Sequence, residues 1–253
     1  MLSGCSAENA DRATASPPTS IGKAPPTTPT PPQQLAPADP ANWQIIGTSV
    51  NGLPIRQLTV GRGPRQVLFI GGIHGDETEG VVTAAELPAA IAASSLNDLV
   101  TLTIIEDANP DGRAAGTREN ANAVDVNRNF PASNFDLGNP VNGYEPLSQP
   151  ESRAVVAAID RIVPALVIVA HSWSGRQFIN FDGPARELAD RFAATSGFSV
   201  EESNSFAATP GSLGSYAGRD RGIPVLTVEV LRGSDPRAVW NTLRPALLEA
   251  ISG

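Results

Sequence analysis

The chain has 253 residues, a formal net charge of −8, 17% charged residues and 5% aromatics. That acidic balance excludes nucleic acid and anionic membrane surfaces as natural partners, and the low charge density excludes a coiled coil or a long solvated tail as the main architecture. No apolar run approaches the roughly 18 residues that a bilayer-spanning helix needs.

The only cysteine, Cys5, stands in Leu2-Ser3-Gly4-Cys5. This string is similar to a bacterial lipobox, in which the cysteine becomes the lipidated first residue of the mature protein. Residues 1–5 are therefore expected to be a lipobox remnant. Residues 6–42, rich in Pro, Thr, Ser and Ala, are expected to be a disordered tether, too poor in apolar groups to fold. The implied location is the cell envelope or the outside of the cell, with membrane contact only through Cys5. A cytoplasmic location is the alternative.

Residues 43–253 should hold one folded domain. Gln44 to Val50 and Leu53 to Val60, joined by Asn51-Gly52, read as a hairpin, because Asn-Gly accepts left-handed turn conformations. Gln66 to Gly71 is a strand that leads into Gly72-Ile73-His74-Gly75-Asp76-Glu77. A buried strand ending this way delivers polar groups to a sheet edge, where ligands bind in open α/β folds. A helix is expected from Glu79 to Ala93, with Pro88 as a kink, then a strand from Leu99 to Ile105.

Between Arg113 and Glu145 lies a long polar region without periodicity, carrying Arg118 and Asp125-Val126-Asn127-Arg128-Asn129-Phe130. Loops this long inside a compact domain are commonly functional. Ser148-Gln149-Pro150-Glu151 reads as a capping box opening a helix to Ile162. Ala165 to Ala170 is an aliphatic strand that delivers His171. Further helices are expected at Pro184 to Thr195, Ser212 to Asp220 and Pro236 to Ile251, with a strand at Pro224 to Val230 carrying Glu229. Alternating strands and helices, with strands apolar on both faces, predict a single α/β domain with a mixed, mostly parallel central sheet flanked by helices.

The two histidines of the chain, His74 and His171, both stand where an aliphatic strand ends. With Glu77 they make a His-Glu-His set, the ligand composition of a catalytic zinc that keeps a fourth position open. Glu229, polar in an otherwise apolar strand, suits a general base at the same edge. Arg118 and Arg128 are fixed cations: one could stabilise an oxyanion and the other grip a substrate carboxylate.

The ordered set His74-x-x-Glu77, Asn109-Pro110-Asp111-Gly112, Arg118, Asp125-x-Asn127-Arg128-Asn129-Phe130, His171 and Glu229 resembles the zinc carboxypeptidase family over essentially the whole body. The resemblance implies one Zn2+ per chain, held by His74, Glu77 and His171. It implies Glu229 as catalytic glutamate and Arg118 as the arginine that polarises the scissile carbonyl. It further implies Asn127 and Arg128 as the pair binding the substrate's terminal carboxylate, and Asp125 as the aspartate that orients the first histidine. The compact segment from Glu77 to His171, the string Thr117 to Asp125, and Gly211-Ser212-Leu213-Gly214-Ser215-Tyr216 look closest to the short bacterial branch typified by murein peptide amidase. That branch implies a peptide substrate from peptidoglycan, cut between γ-D-glutamate and meso-diaminopimelate. Alternatives on the same machinery are a general metallocarboxypeptidase and an N-acyl amino acid deacylase. A third is a non-catalytic module that binds wall peptides. Where the digestive enzymes carry a mobile tyrosine, the segment here is Ser205-Phe206-Ala207-Ala208-Thr209-Pro210. Tyr216 lies beyond it and is not expected to take that role.

Overall fold

The computed structural model describes residues 42–203 and 209–253. Cys5, the expected tether and most of the tyrosine-less segment lie outside them. Strands β1 (Gln44–Thr48) and β2 (Pro54–Gly61) form the expected hairpin around Asn51-Gly52. Next come β3 (Arg65–Ile70), helix α1 (Glu79–Ala92), β4 (Val100–Ile105), a short helix α2 (Pro110–Ala115) and, after a long loop, α3 (Pro150–Ile162). The second half holds β5 (Leu166–Trp173), β6 (Phe178–Asp182), α4 (Arg186–Ser196), β7 (Ser199–Glu202), a π-helical turn Gly214–Asp220, β8 (Val225–Leu231) and α5 (Pro236–Ser252).

The strands make one sheet in the order β1-β2-β4-β3-β5-β8-β6-β7. Its centre, β4-β3-β5-β8, is parallel, while β2 and β6 join it antiparallel. Successive strand residues face opposite sides of a sheet, and β3 fills both sides. Val67 and Phe69 belong to the core that also takes in residues of α1, α4 and α5, while Leu68 and Ile70 belong to the core that takes in α3 and the apolar side chains of the long loop, Val126 and Phe130. All four are fully buried, which is why this strand shows no polar alternation. Pro88 sits inside α1 without ending it. Among the described residues, no helix is long and apolar enough to cross a membrane.

The structure departs from the sequence expectation in four places. Asn109-Pro110-Asp111-Gly112 starts helix α2, with the Asn109 side chain accepting from the Gly112 amide and Pro110 in the first turn, where its missing N–H costs nothing. β6 and β7 were not anticipated; both are short, and Asn180, Asp182, Glu201 and Glu202 mask their apolar content. β5 continues through His171 to Trp173, paired with β8 along its length, so His171 lies within the strand. The capping box does not form. Gln149 precedes α3 without a side-chain cap, and Glu151 instead accepts hydrogen bonds from the Val50 amide and Asn120 Nδ2.

Candidate active site

His74 and Glu77 sit on the turn between β3 and α1, closed by a 3.2 Å bond from the Glu77 amide to the His74 carbonyl. The turn lies hard against α2: a Cβ on Gly75 would come within 2.0 Å of the Gly112 backbone. Only glycine lets the metal-binding turn and α2 touch in this way. Parallel pairing then brings in the remaining groups, since β5 lies beside β3 and its His171 faces Glu229 across the β5–β8 ladder. Four segments far apart in sequence therefore meet at one edge of the sheet.

The Glu77 carboxylate lies between the two imidazoles. His74 Nδ1 is 2.9 Å from its Oε1 and His171 Nδ1 is 2.8 Å from its Oε2, and the rings lie 4.6 Å apart. One donor atom from each of the three residues falls within 4.8 Å of the others, and all three side chains are buried. On the far side of the ring, His74 Nε2 donates to Asp125 Oδ1 at 3.2 Å. That contact fixes the tautomer and turns Nδ1 inward, as a metal-binding histidine requires. Asn127 Nδ2 lies 3.3 Å from His171 Nε2, and its Oδ1 is held by the Leu213 amide. Two imidazole nitrogens and a carboxylate oxygen, buried and converging, are the donor set of a zinc site with an open position.

The electrostatics follow from burial and pairing. Burial would raise the pKa of Glu77, but the two imidazoles outweigh it and hold the carboxyl well below its usual range. Asp125 is likewise held low against burial by His74 and by the guanidinium groups of Arg118 and Arg128. Burial opposes a charged His74, yet Glu77 and Asp125 carry its pKa above the ordinary value. Burial pushes Glu229 up, Glu77 adds to the push, and the cationic neighbours only partly offset it. Glu229 Oε2 is buried with no hydrogen-bond partner among the described residues. An orphaned carboxylate oxygen beside a metal-type donor set is placed to meet a water or a substrate atom.

Arg118 bridges the site, its Nε donating to Asp125 and its Nη1 to Glu77, each at 3.1 Å. Arg128 is less well matched. Its one described hydrogen bond is from Nη1 to the Asn127 carbonyl, and burial with the nearby Arg118 lowers its pKa against the pull of Asp125. Both arginines line the same cleft as the ligands and Glu229, a cavity of about 260 Å³. His74, Glu77, Arg118, Asn127, Arg128, His171 and Glu229 thus line one cleft, and Asp125 joins them through His74. Sequence reasoning missed Arg232, which donates to Asp76 and to Glu77. Glu79, in the same turn, is buried and accepts from the Gly233 amide. Arg232 lies three residues past Glu229, and that proximity was the available signal.

The chain is similar to known proteins over much of its length. The family model described as zinc carboxypeptidase matches residues 33–208. Murein peptide amidase A of Escherichia coli is 35% identical over 150 residues, a match covering 53% of this chain and 60% of that protein. The gamma-D-glutamyl-L-diamino acid endopeptidase 1 of Lysinibacillus sphaericus is 25% identical over 246 residues, covering 76% and 61%. The matches thus span about 60% of the length of these relatives. The crystal structure of a murein-tripeptide amidase from Escherichia coli O157 superposes with a TM-score of 0.71 at 29% identity, covering 85% of this chain and 94% of that one.

Proposed function

The chain belongs to the zinc carboxypeptidase family, and from that premise we propose that it hydrolyses an amide bond next to a free carboxylate, between γ-D-glutamate and meso-diaminopimelate in peptidoglycan-derived peptides. The observation that carries the reading is the register of β5 and β8. It sets the buried Glu229 beside His171, in the same cleft as a cation with few partners, Arg128. The substrate assignment is supported by the names and coverage of the relatives.

His74, Glu77 and His171 would hold zinc. When bound, the metal supplies Lewis acidity and makes a water acidic enough to lose its proton near neutral pH. Glu229 takes that proton as the water attacks and passes it to the leaving amine, a general acid–base role suited to a carboxyl raised by burial. Arg118, fixed by Asp125 and Glu77, presents its guanidinium where the carbonyl oxygen gains charge. Asn127 and Arg128 hold the free carboxylate of the leaving residue, so that binding energy is spent on orientation. Asp125 keeps His74 in the tautomer that presents Nδ1.

Purified protein with zinc should cleave L-Ala-γ-D-Glu-meso-diaminopimelate faster than N-acyl amino acids or α-linked dipeptides. Turnover confined to the acyl or α-linked substrates would overturn the substrate assignment and leave a general carboxypeptidase or deacylase. A place at the cell envelope, with Cys5 lipidated, accompanies this reading and rests on Leu2-Ser3-Gly4-Cys5. Palmitate labelling that is lost in Cys5→Ala would support it, and equal labelling of both forms would exclude it.

A further inference from the structure

The turn that follows β8 closes over the metal-binding turn. The Arg232 amide donates to the Trp173 carbonyl at 3.0 Å, one residue past the end of β8. The Ser234 amide and hydroxyl both bond back to the Leu231 carbonyl, at 3.2 and 2.6 Å. Gly233, at φ +75°, completes the turn in the left-handed region, where glycine carries no steric cost. Two donor groups of this turn reach the segment between β3 and α1, although β5 lies between β3 and β8 in the sheet. The Arg232 guanidinium donates from Nη1 to Asp76 Oδ2 at 2.7 Å and from Nη2 to Glu77 Oε1 at 3.2 Å. The Gly233 amide donates to Glu79 Oε1 at 2.7 Å.

Glu77 is where these contacts meet. Its Oε1 faces His74 Nδ1, Arg118 Nη1 and Arg232 Nη2, and its Oε2 faces His171 Nδ1 and the Ser172 amide. The imidazole contacts are the ones given up when both rings bind a metal. What then still holds the Glu77 carboxylate is the Ser172 amide on one oxygen and two guanidinium groups on the other. Arg118 lines the cleft and has a second duty at the substrate carbonyl. Arg232 and Asp76 lie outside the cleft lining, so Arg232 has no competing duty. Asp76 neutralises the Arg232 guanidinium, and the pair orders Glu77 without adding net charge beside the metal site.

We propose that Arg232 is a positioning residue of the metal centre: anchored by Asp76, it keeps Glu77 oriented while Arg118 serves the substrate oxyanion. This rests on the reading that His74, Glu77 and His171 hold zinc, and it adds what keeps the carboxylate in place through turnover. Arginine suits the task. Its planar fork carries separate N–H donors at fixed spacing and can bridge two carboxylates, which a lysine ammonium on a flexible stem does poorly. The clamp is also tied to the base, since Arg232 lies three residues past Glu229 on the same segment. Holding Glu77 from that segment fixes the proton acceptor and the metal ligand relative to each other, the precision that proton transfer requires.

The test compares wild type, Arg232→Ala, Asp76→Ala and the double variant. Three quantities are read: zinc affinity by competitive chelator titration, the visible spectrum of the cobalt-substituted protein, and kcat and KM on L-Ala-γ-D-Glu-meso-diaminopimelate. Arg232→Ala should weaken zinc binding by about tenfold, the usual worth of a group that orients a metal ligand. Its cobalt spectrum should shift, and kcat should fall by roughly tenfold with KM little changed. Asp76 acts through Arg232, so Asp76→Ala should lose less, and the double variant should lose no more than Arg232→Ala. The double variant also keeps the net charge of wild type, so its loss reads geometry rather than charge. Arg232→Ala with wild-type zinc affinity and an unshifted cobalt spectrum would overturn the proposal, as would losses that add in the double variant. If Arg232→Ala does not fold, Asp76→Ala decides: weaker zinc binding supports the proposal and wild-type binding overturns it. A wild type that binds no zinc overturns the metal reading first, and the proposal with it.

Discussion

The proposed mechanism gives each side chain of the site one separable task, and single substitutions should separate them. Glu229→Gln removes the proton acceptor while keeping size and hydrogen bonding. It should retain zinc and substrate binding and lower kcat by about 10²–10⁴-fold, the usual worth of general acid–base catalysis; unchanged turnover in a steady-state assay would remove Glu229 from the mechanism. Arg128→Ala should cost about 30- to 100-fold in kcat/KM on substrates with a free carboxylate, a few kcal/mol for a charge-assisted contact. Amidated substrates should lose little, so comparing the two isolates the clamp. Asp125→Asn removes the carboxylate that orients His74. It should weaken zinc binding by about 10- to 100-fold in a competitive chelator titration.

The same residues set the pH behaviour of the protein stripped of metal. Glu77 and Asp125 have depressed values, so what they contribute is present above their ordinary values of 4.5 and 3.8 and is lost as pH falls. His74 is raised, so its contribution is present below 6.5 and is lost as pH climbs through the folded-state value. Chelated protein should therefore show its highest Tm in a window around pH 5 to 6.5 and decline on both sides. A Tm that keeps rising into alkaline pH would contradict the pairing of His74 with the two carboxylates.

At the scale of elements, the long loop before α3 is held by side chains rather than by regular structure. Asn129 is fully buried there. Its Nδ2 donates to the carbonyls of Asn142 and Glu145 and to Ser148 Oγ, and its Oδ1 accepts from the Gln149 amide and Ser152 Oγ. One side chain thus satisfies backbone groups on both sides of the loop that presents Asn127 and Arg128. Asn129→Ala should destabilise the fold by about 3 kcal/mol in urea unfolding, since several buried polar groups would lose their partners together. A loss below about 0.5 kcal/mol, the usual range for a surface change, would mean the loop is held elsewhere. The periodic elements α1, α3, β3 and β8 could be read from the sequence because each repeats a pattern over several residues. The irregular loop could be read only as chemistry, through Arg118 and Asp125 to Phe130, because its order comes from contacts such as those of Asn129.

For the whole molecule, the metal-binding residues come from the β3–α1 turn and from β5, segments separated by most of the sheet's construction. A metal that binds this set only when folded adds stability by linkage. Zinc at about 100 times its Kd should add roughly 2.7 kcal/mol, seen as a Tm that falls on chelation and returns on adding zinc. His171→Ala should abolish that shift.

The residue types and their order pointed to the chemistry of this protein. His74 and Glu77 follow an apolar strand, and His171 and Glu229 are polar within apolar strands; such buried groups are stable only with a shared partner. The long loop's Arg118 and Arg128 were legible for a similar reason, since fixed cations beside such a set imply an anionic substrate or oxyanion. What only the tertiary structure decided is adjacency across strands. The register of β8 against β5 sets Glu229 beside His171. Sequence carries the alternation of each strand but not which strand lies next to it, because strand order and register follow from the packing of the whole sheet.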